Sequence, residues 1–106
     1  MNAMPSNKAV KECIELTTQC ANICVETIPH CLQKGGAHVA TPHMKLLMDC
    51  AEICRTCDGY LLRNSEFMGR ICGLCAEVCQ RCSDSCASFA GDKMMQDCAD
   101  ACRRMA

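Results

Sequence analysis

Fourteen of the 106 residues are cysteine, and their spacing says more than their number. Cys13, Cys20, Cys24 and Cys31 form a first group, and Cys50, Cys54 and Cys57 a second. Cys72, Cys75, Cys79, Cys82 and Cys86 form a third, and Cys98 and Cys102 a fourth. Within each group every gap is 3, 4 or 7 residues. Those separations bring side chains back to one face of an α-helix. Thr17 and Thr27 occupy the positions that the 7-residue gaps skip. Each group therefore reads as one helical face lined with sulfur.

One or two buried thiols are ordinary small apolar side chains. Fourteen would underpack a core, because leucine at the same positions buries more surface. Disulfides fit poorly too, since cysteines on successive turns of one helix lean the same way and bridging them strains the bond. Metal is the remaining reading, and thiolate with few imidazoles selects copper(I), zinc or iron–sulfur clusters. Structural zinc wants four ligands converging from turn-borne C-x-x-C pairs. Cys54/Cys57, Cys72/Cys75 and Cys79/Cys82 have that spacing but continue longer helical ladders. Iron–sulfur motifs also use loop cysteines. A ladder suits copper(I), which takes two or three sulfurs within one helix or across two. If each thiolate bridges two ions, charge neutrality sets a capacity on the order of a dozen. A zinc or mixed-metal thiolate buffer is the alternative. A thiol–disulfide redox protein is weaker still, because it needs an acidified cysteine at a helix start and none stands there.

Four helices must hold these faces. Gly35-Gly36 ends the first, and Thr41-Pro42 reads as an N-cap followed by a first-turn proline. Asn64-Ser65-Glu66 separates the second from the third, and Gly91 followed by Asp92 as a cap separates the third from the fourth. The segments run to about 28, 22, 25 and 14 residues, with Pro29 expected to kink or end the first. Short connections predict an all-α, antiparallel up-down-up-down four-helix bundle with a cysteine-lined core, one domain over residues 1–106. Ile14, Ile23, Ile28, Ile53, Ile71, Leu74 and Val78 fall beside the sulfur seams, to pack between helices or between protomers.

Bulk composition excludes several classes. A net charge of −1, from 11 basic and 12 acidic residues, leaves no basic face for nucleic acid. No apolar run approaches the roughly 20 residues that span a bilayer, and Met1–Lys8 has no apolar stretch of the secretory kind. The expected compartment is the cytoplasm. No nucleophile–base pair, phosphate loop or paired carboxylate stands out, so no enzyme is expected.

The whole chain resembles the copper storage proteins, cysteine-rich four-helix bundles of bacteria. The resemblance rests on C-x-x-x-C at Cys20/Cys24, Cys50/Cys54, Cys75/Cys79, Cys82/Cys86 and Cys98/Cys102, and on the unbroken run from Cys72 to Cys86. It implies several copper(I) ions in thiolate clusters, a homotetramer, and access through one open end assisted by histidine or methionine. Up-down topology puts His30, His38, His43, Met44, Met48, Met94 and Met95 at a single pole. His43 falls one register above Leu47 and Cys50, and Met94 or Met95 above Cys98. His43, Met94 and Met95 are thus the expected mouth ligands, with His30 and His38 read as ordinary loop or packing residues. Leu61, Met68 and Met105 would close the opposite pole. Ala21, Val25, Ile28 and Leu32 form an apolar stripe that suits a protomer contact but more commonly marks packing within a chain.

Overall fold

The structure, a computed structural model, describes residues 7–106. The reading of Met1–Ser6 as free of a secretory-type stretch lies outside the described residues. Four helices follow in order: α1 (Asn7–Lys34), α2 (Thr41–Leu62), α3 (Met68–Ala87) and α4 (Lys93–Met105). A short 3-10 turn, Gly36–Val39, joins the first two. No strand occurs among the described residues.

Each helix packs on two neighbours around a ring, α1 on α2, α2 on α3, α3 on α4 and α4 on α1, and sulfurs of diagonal helices meet across the axis. Cross-helix contacts fix the directions. Cys31, Cys20 and Thr17 of α1 meet His43, Cys50 and Asp58 of α2 in that order, so the two run antiparallel. Cys50, Cys54 and Cys57 meet Cys79, Cys75 and Cys72, reversing direction again. Cys31 and Cys20 meet Met95 and Cys102 of α4. The bundle is up-down-up-down, as the short connections require.

Two of the three breaks fall where glycines stand. Gly35 and Gly36 have φ of 68° and 54°, the left-handed region that costs any other side chain energy. Asn64 takes the same conformation at φ 52°, which its short polar side chain tolerates. The third helix is shorter than expected, 20 residues rather than about 25. Ser65 turns the chain ahead of it, its Oγ accepting the Phe67 N–H at 3.0 Å and its carbonyl the Met68 N–H at 3.1 Å. Two other expectations are corrected. Ala40, not Thr41, is the N-cap of α2, and Thr41 is already helical. Pro42 in that first turn lacks an N–H, so fewer donors need a cap. Pro29 does not end α1, which continues to Lys34. The carbonyl that Pro29 leaves without a donor belongs to Val25, an exposed residue, while Cys31 beyond it is fully buried.

Sulfur runs along the core. Thr17 and Thr27 take seam positions and are fully buried. Thr27 donates to the Ile23 carbonyl at 2.6 Å, whereas Thr17 bonds the Asp58 carboxylate across the helix pair. Ile14, Ile23, Ile28, Ile53, Ile71 and Val78 pack half-buried against the core, and Leu74 is exposed. Leu61, Met68 and Met105 are buried at the pole away from the histidines.

Candidate metal centre

Twelve cysteines are buried, Cys13 and Cys72 are half-buried, and all fourteen are free thiols. Their sulfurs form a column along the bundle axis. At its upper end Cys31 Sγ lies 3.6 Å from His43 Nε2 and 3.8 Å from Met95 Sδ. Below it, Cys24 lies 3.9 Å from Cys98 and 3.7 Å from Cys102, and Cys86 interacts with Cys82 and Cys98. Cys20 is 3.6 Å from both Cys50 and Cys102, and Cys50 is 3.6 Å from Cys79. Cys54 is 3.6 Å from Cys75 and from Cys79, and Cys57 is 3.2 Å from Cys72. Cys13 approaches Cys72 at the lower end. Two sets of four sulfurs converge within 4.8 Å, Cys20/Cys50/Cys54/Cys79 and Cys20/Cys24/Cys50/Cys102. Both contain Cys20 and Cys50.

Helical spacing explains the column: the 3/4 ladder turns one thiol per turn toward the axis, and four ladders interdigitate. The sulfurs approach at van der Waals distance, near enough for one small cation to touch two or three.

His43 is 5% exposed. Burial holds its pKa below the usual imidazole value, with the neighbouring His38 adding to the effect. It stays neutral and keeps a lone pair for a metal. Its Nδ1 lies 2.7 Å from Ser85 Oγ, which turns Nε2 toward Cys31, the arrangement that orients ligating histidines. Phe89 packs against it at a tilt, ring centres 4.9 Å apart. Neither Ser85 nor Phe89 carried a signal in the sequence, because their roles come from the way the α3 terminus folds over the mouth.

The remaining expected residues separate. Met95 is fully buried on the axis. Met94 is half-buried and off the axis, beside a cleft shared with His30, His38 and Asp92. His38 lies in the connecting turn and packs on Phe89, as expected of a loop residue, and both His30 and His38 also share a polar partner. His30 Nε2 donates to both Asp92 oxygens at 3.0 and 2.8 Å, and His38 Nε2 donates to Oδ2 at 2.9 Å. Asp92 was legible only as a helix cap, a role it does fill by accepting the Met95 N–H at 3.3 Å.

Burial also governs the two thiols at the ends of the column. It pushes Cys13 up to about 11, aided by Cys72, and raises Cys31, aided by Cys98. A folded thiol that binds its proton more tightly than the unfolded chain stabilises the fold below the ordinary value of 9.0. That contribution is lost as pH climbs through the folded value. The unfolding temperature of the reduced, metal-free protein is therefore expected to fall between pH 9 and about 11. A thermal scan across that range that stays level would contradict the burial argument.

A four-helix bundle with an axis of free thiols defines a protein suited to holding several soft metal ions. The profile of the copper storage protein family matches residues 6–106, and the chain belongs to that family. It is 32% identical over 100 residues to the uncharacterized cysteine-rich protein YhjQ of Bacillus subtilis, covering 89% of this chain and 93% of that one. The Nmul_A1745 protein of Nitrosospira multiformis has the same fold, with a TM-score of 0.78 and 37% identity over 95% of this chain and 97% of that one. The Cu(I)-bound copper storage protein BsCsp3 gives a TM-score of 0.72 and 31% identity, over 91% of this chain and 96% of that one. Among the described residues no helix is long and apolar enough to cross a membrane.

Proposed function

We propose that this chain is a single-domain cytoplasmic store that sequesters many copper(I) ions on its fourteen cysteines, with no catalytic activity. The observation that carries the reading is the continuous sulfur column, and the Cu(I)-bound relative BsCsp3 supports it. The ligands are Cys13, Cys20, Cys24, Cys31, Cys50, Cys54, Cys57, Cys72, Cys75, Cys79, Cys82, Cys86, Cys98 and Cys102. His43 and Met95, with Met94 at the rim, receive the ion and pass it to Cys31. The exposed side chains of Val25 and Leu32 on α1 supply an apolar contact for a homotetramer, whereas Ala21 on the same stripe is used up inside the bundle.

Zinc is the competing cargo, and one observation favours it. A ZnS4 tetrahedron with bonds of about 2.3 Å has edges of about 3.8 Å, and Cys20, Cys50 and Cys79 of one four-sulfur set stand 3.6–4.0 Å apart. Charge and topology decide against it. Fourteen thiolate charges need seven Zn2+ (14 ÷ 2), each at a point where four sulfurs converge. The described residues make two such points, and they share two sulfurs. Copper(I) needs only pairs or triples, which the column supplies throughout.

Anaerobic titration of the fully reduced protein tests this. The expected capacity is on the order of a dozen copper(I) ions per chain, with about one proton released per thiolate formed. Uptake without proton release, or preferential retention of zinc against matched chelators, would overturn it. Replacing His43 and Met95 by alanine is expected to slow copper uptake in stopped-flow mixing while leaving capacity nearly unchanged. If capacity fell in proportion instead, the two residues would be storage ligands rather than a mouth.

A further inference from the structure

We propose that His30, His38 and Asp92 form a second metal site, for a divalent cation of borderline softness such as Zn2+ or Cu2+, separate from the thiol column. The three donors come from different elements: His30 from α1, His38 from the 3-10 turn and Asp92 from the residue before α4. Their ligand atoms lie within 4.8 Å of one another, and both imidazoles present Nε2 to the same carboxylate. Two nitrogens and an oxygen suit Zn2+, Ni2+ or Cu2+ and are a poor match for copper(I), which prefers sulfur. Three protein ligands also leave a coordination position open to the cleft, as in zinc sites that keep a water.

The simpler role of these residues is a pin between helices. A cap for α4 needs only the carboxylate, and a pin to α1 needs only His30. A second imidazole on Oδ2 exceeds both requirements and completes a triad. The side chains are 14–20% exposed, reachable from the cleft yet largely shielded from water. The rings are held in place, His38 lying 4.1 Å from Phe89 and edge-on to His30 at 5.8 Å. Lys34 and Lys93 line the same cleft. The Lys93 ammonium is 87% exposed and paired with Asp97 at 2.8 Å, so solvent screens most of its repulsion.

Phe89 touches both His38 and His43. One aromatic ring thus divides a nitrogen–oxygen site from the sulfur mouth, and two cations of different softness can sit at one pole without sharing a ligand.

The test uses the full chain, reduced and saturated with copper(I) under anaerobic conditions so that the thiols are occupied. Zn2+ is then titrated by calorimetry while the histidine ring nitrogens are followed by 15N NMR. The expected result is one further Zn2+ per chain, with the His30 and His38 Nε2 resonances shifted and His43 unmoved. The double variant His30→Gln/His38→Gln is expected to abolish this binding. Asp92→Asn, which preserves the helix cap, is expected to weaken it about tenfold or more. No Zn2+ uptake by the copper-filled protein, or uptake that survives the double substitution, overturns the site. A failure of copper to fill the column appears separately, in the copper count.

Discussion

Filling the reduced protein with copper(I) is expected to raise its unfolding temperature by about 20 °C or more. The metal-free core is poorly supplied with large side chains. Only Tyr60, Phe67 and Phe89 are aromatic, Phe67 is 52% exposed, and the fully buried positions are mostly cysteine. Small side chains bury little apolar area, so the metal-free fold starts from modest stability. An ion that binds the folded chain at a thousand times its Kd adds about 4 kcal/mol. In a domain near this size each kcal/mol moves the midpoint by about 4–8 °C. A single ion therefore accounts for most of the expected shift. Further ions bridge α1 to α2 and α4, and α2 to α3, although binding to unfolded thiols offsets part of the gain. Differential scanning calorimetry before and after loading, then after a strong copper(I) chelator, reads the effect. An unchanged midpoint would place the copper outside the bundle.

The cysteine ladder carried nearly all of the architecture, because a 3/4 spacing on four segments has one compact solution. Cys20, Cys50, Cys79 and Cys102 sit in four different segments, yet the pattern alone orients each toward one axis, where they meet at 3.6–4.0 Å. Local punctuation was less legible. Thr41 has the composition of a cap, but the extended residue ahead of the helix is Ala40, a choice of backbone conformation that side-chain type does not encode. Pro29 looked like a stop because its lost hydrogen bond is a local cost, while the burial of Cys31 that offsets it is tertiary. The mouth was half legible. His43 followed from the register of Leu47 and Cys50. Met94 and Met95 are adjacent, and the 100° turn between neighbouring residues sends only one of them to the axis. The His30–His38–Asp92 cluster is not legible in the sequence because its members belong to a helix, a turn and a cap, with no periodicity linking them.

Replacing Cys20 and Cys50 together by alanine is expected to lower copper capacity by about four ions, whereas replacing Cys13 and Cys57 should remove about two. The first pair belongs to both four-sulfur sets. Cys20 touches Cys50, Cys79 and Cys102, and Cys50 touches Cys20, Cys79 and Cys102. Neutrality alone removes one ion per lost thiolate. The central pair does more, because Cys79 keeps only Cys54 and Cys75 and Cys102 keeps Cys24, so the sulfurs that join these two groups are gone and the column is cut in two. Cys24, Cys31, Cys98 and Cys102 then lie above the break, and Cys54, Cys57, Cys72, Cys75 and Cys79 below it. Cys13 and Cys57 lie at the lower end, where a loss shortens the column without dividing it. Alanine is the appropriate replacement, since a buried serine hydroxyl would need a new partner. Each lost sulfur costs the metal-free fold on the order of 1 kcal/mol, so circular dichroism should still report a folded bundle. Metal counted per chain by atomic absorption after anaerobic loading distinguishes the two variants. Equal losses would mean that the thiols hold ions as independent sites, and a connected sulfur column would then have no bearing on how copper is stored.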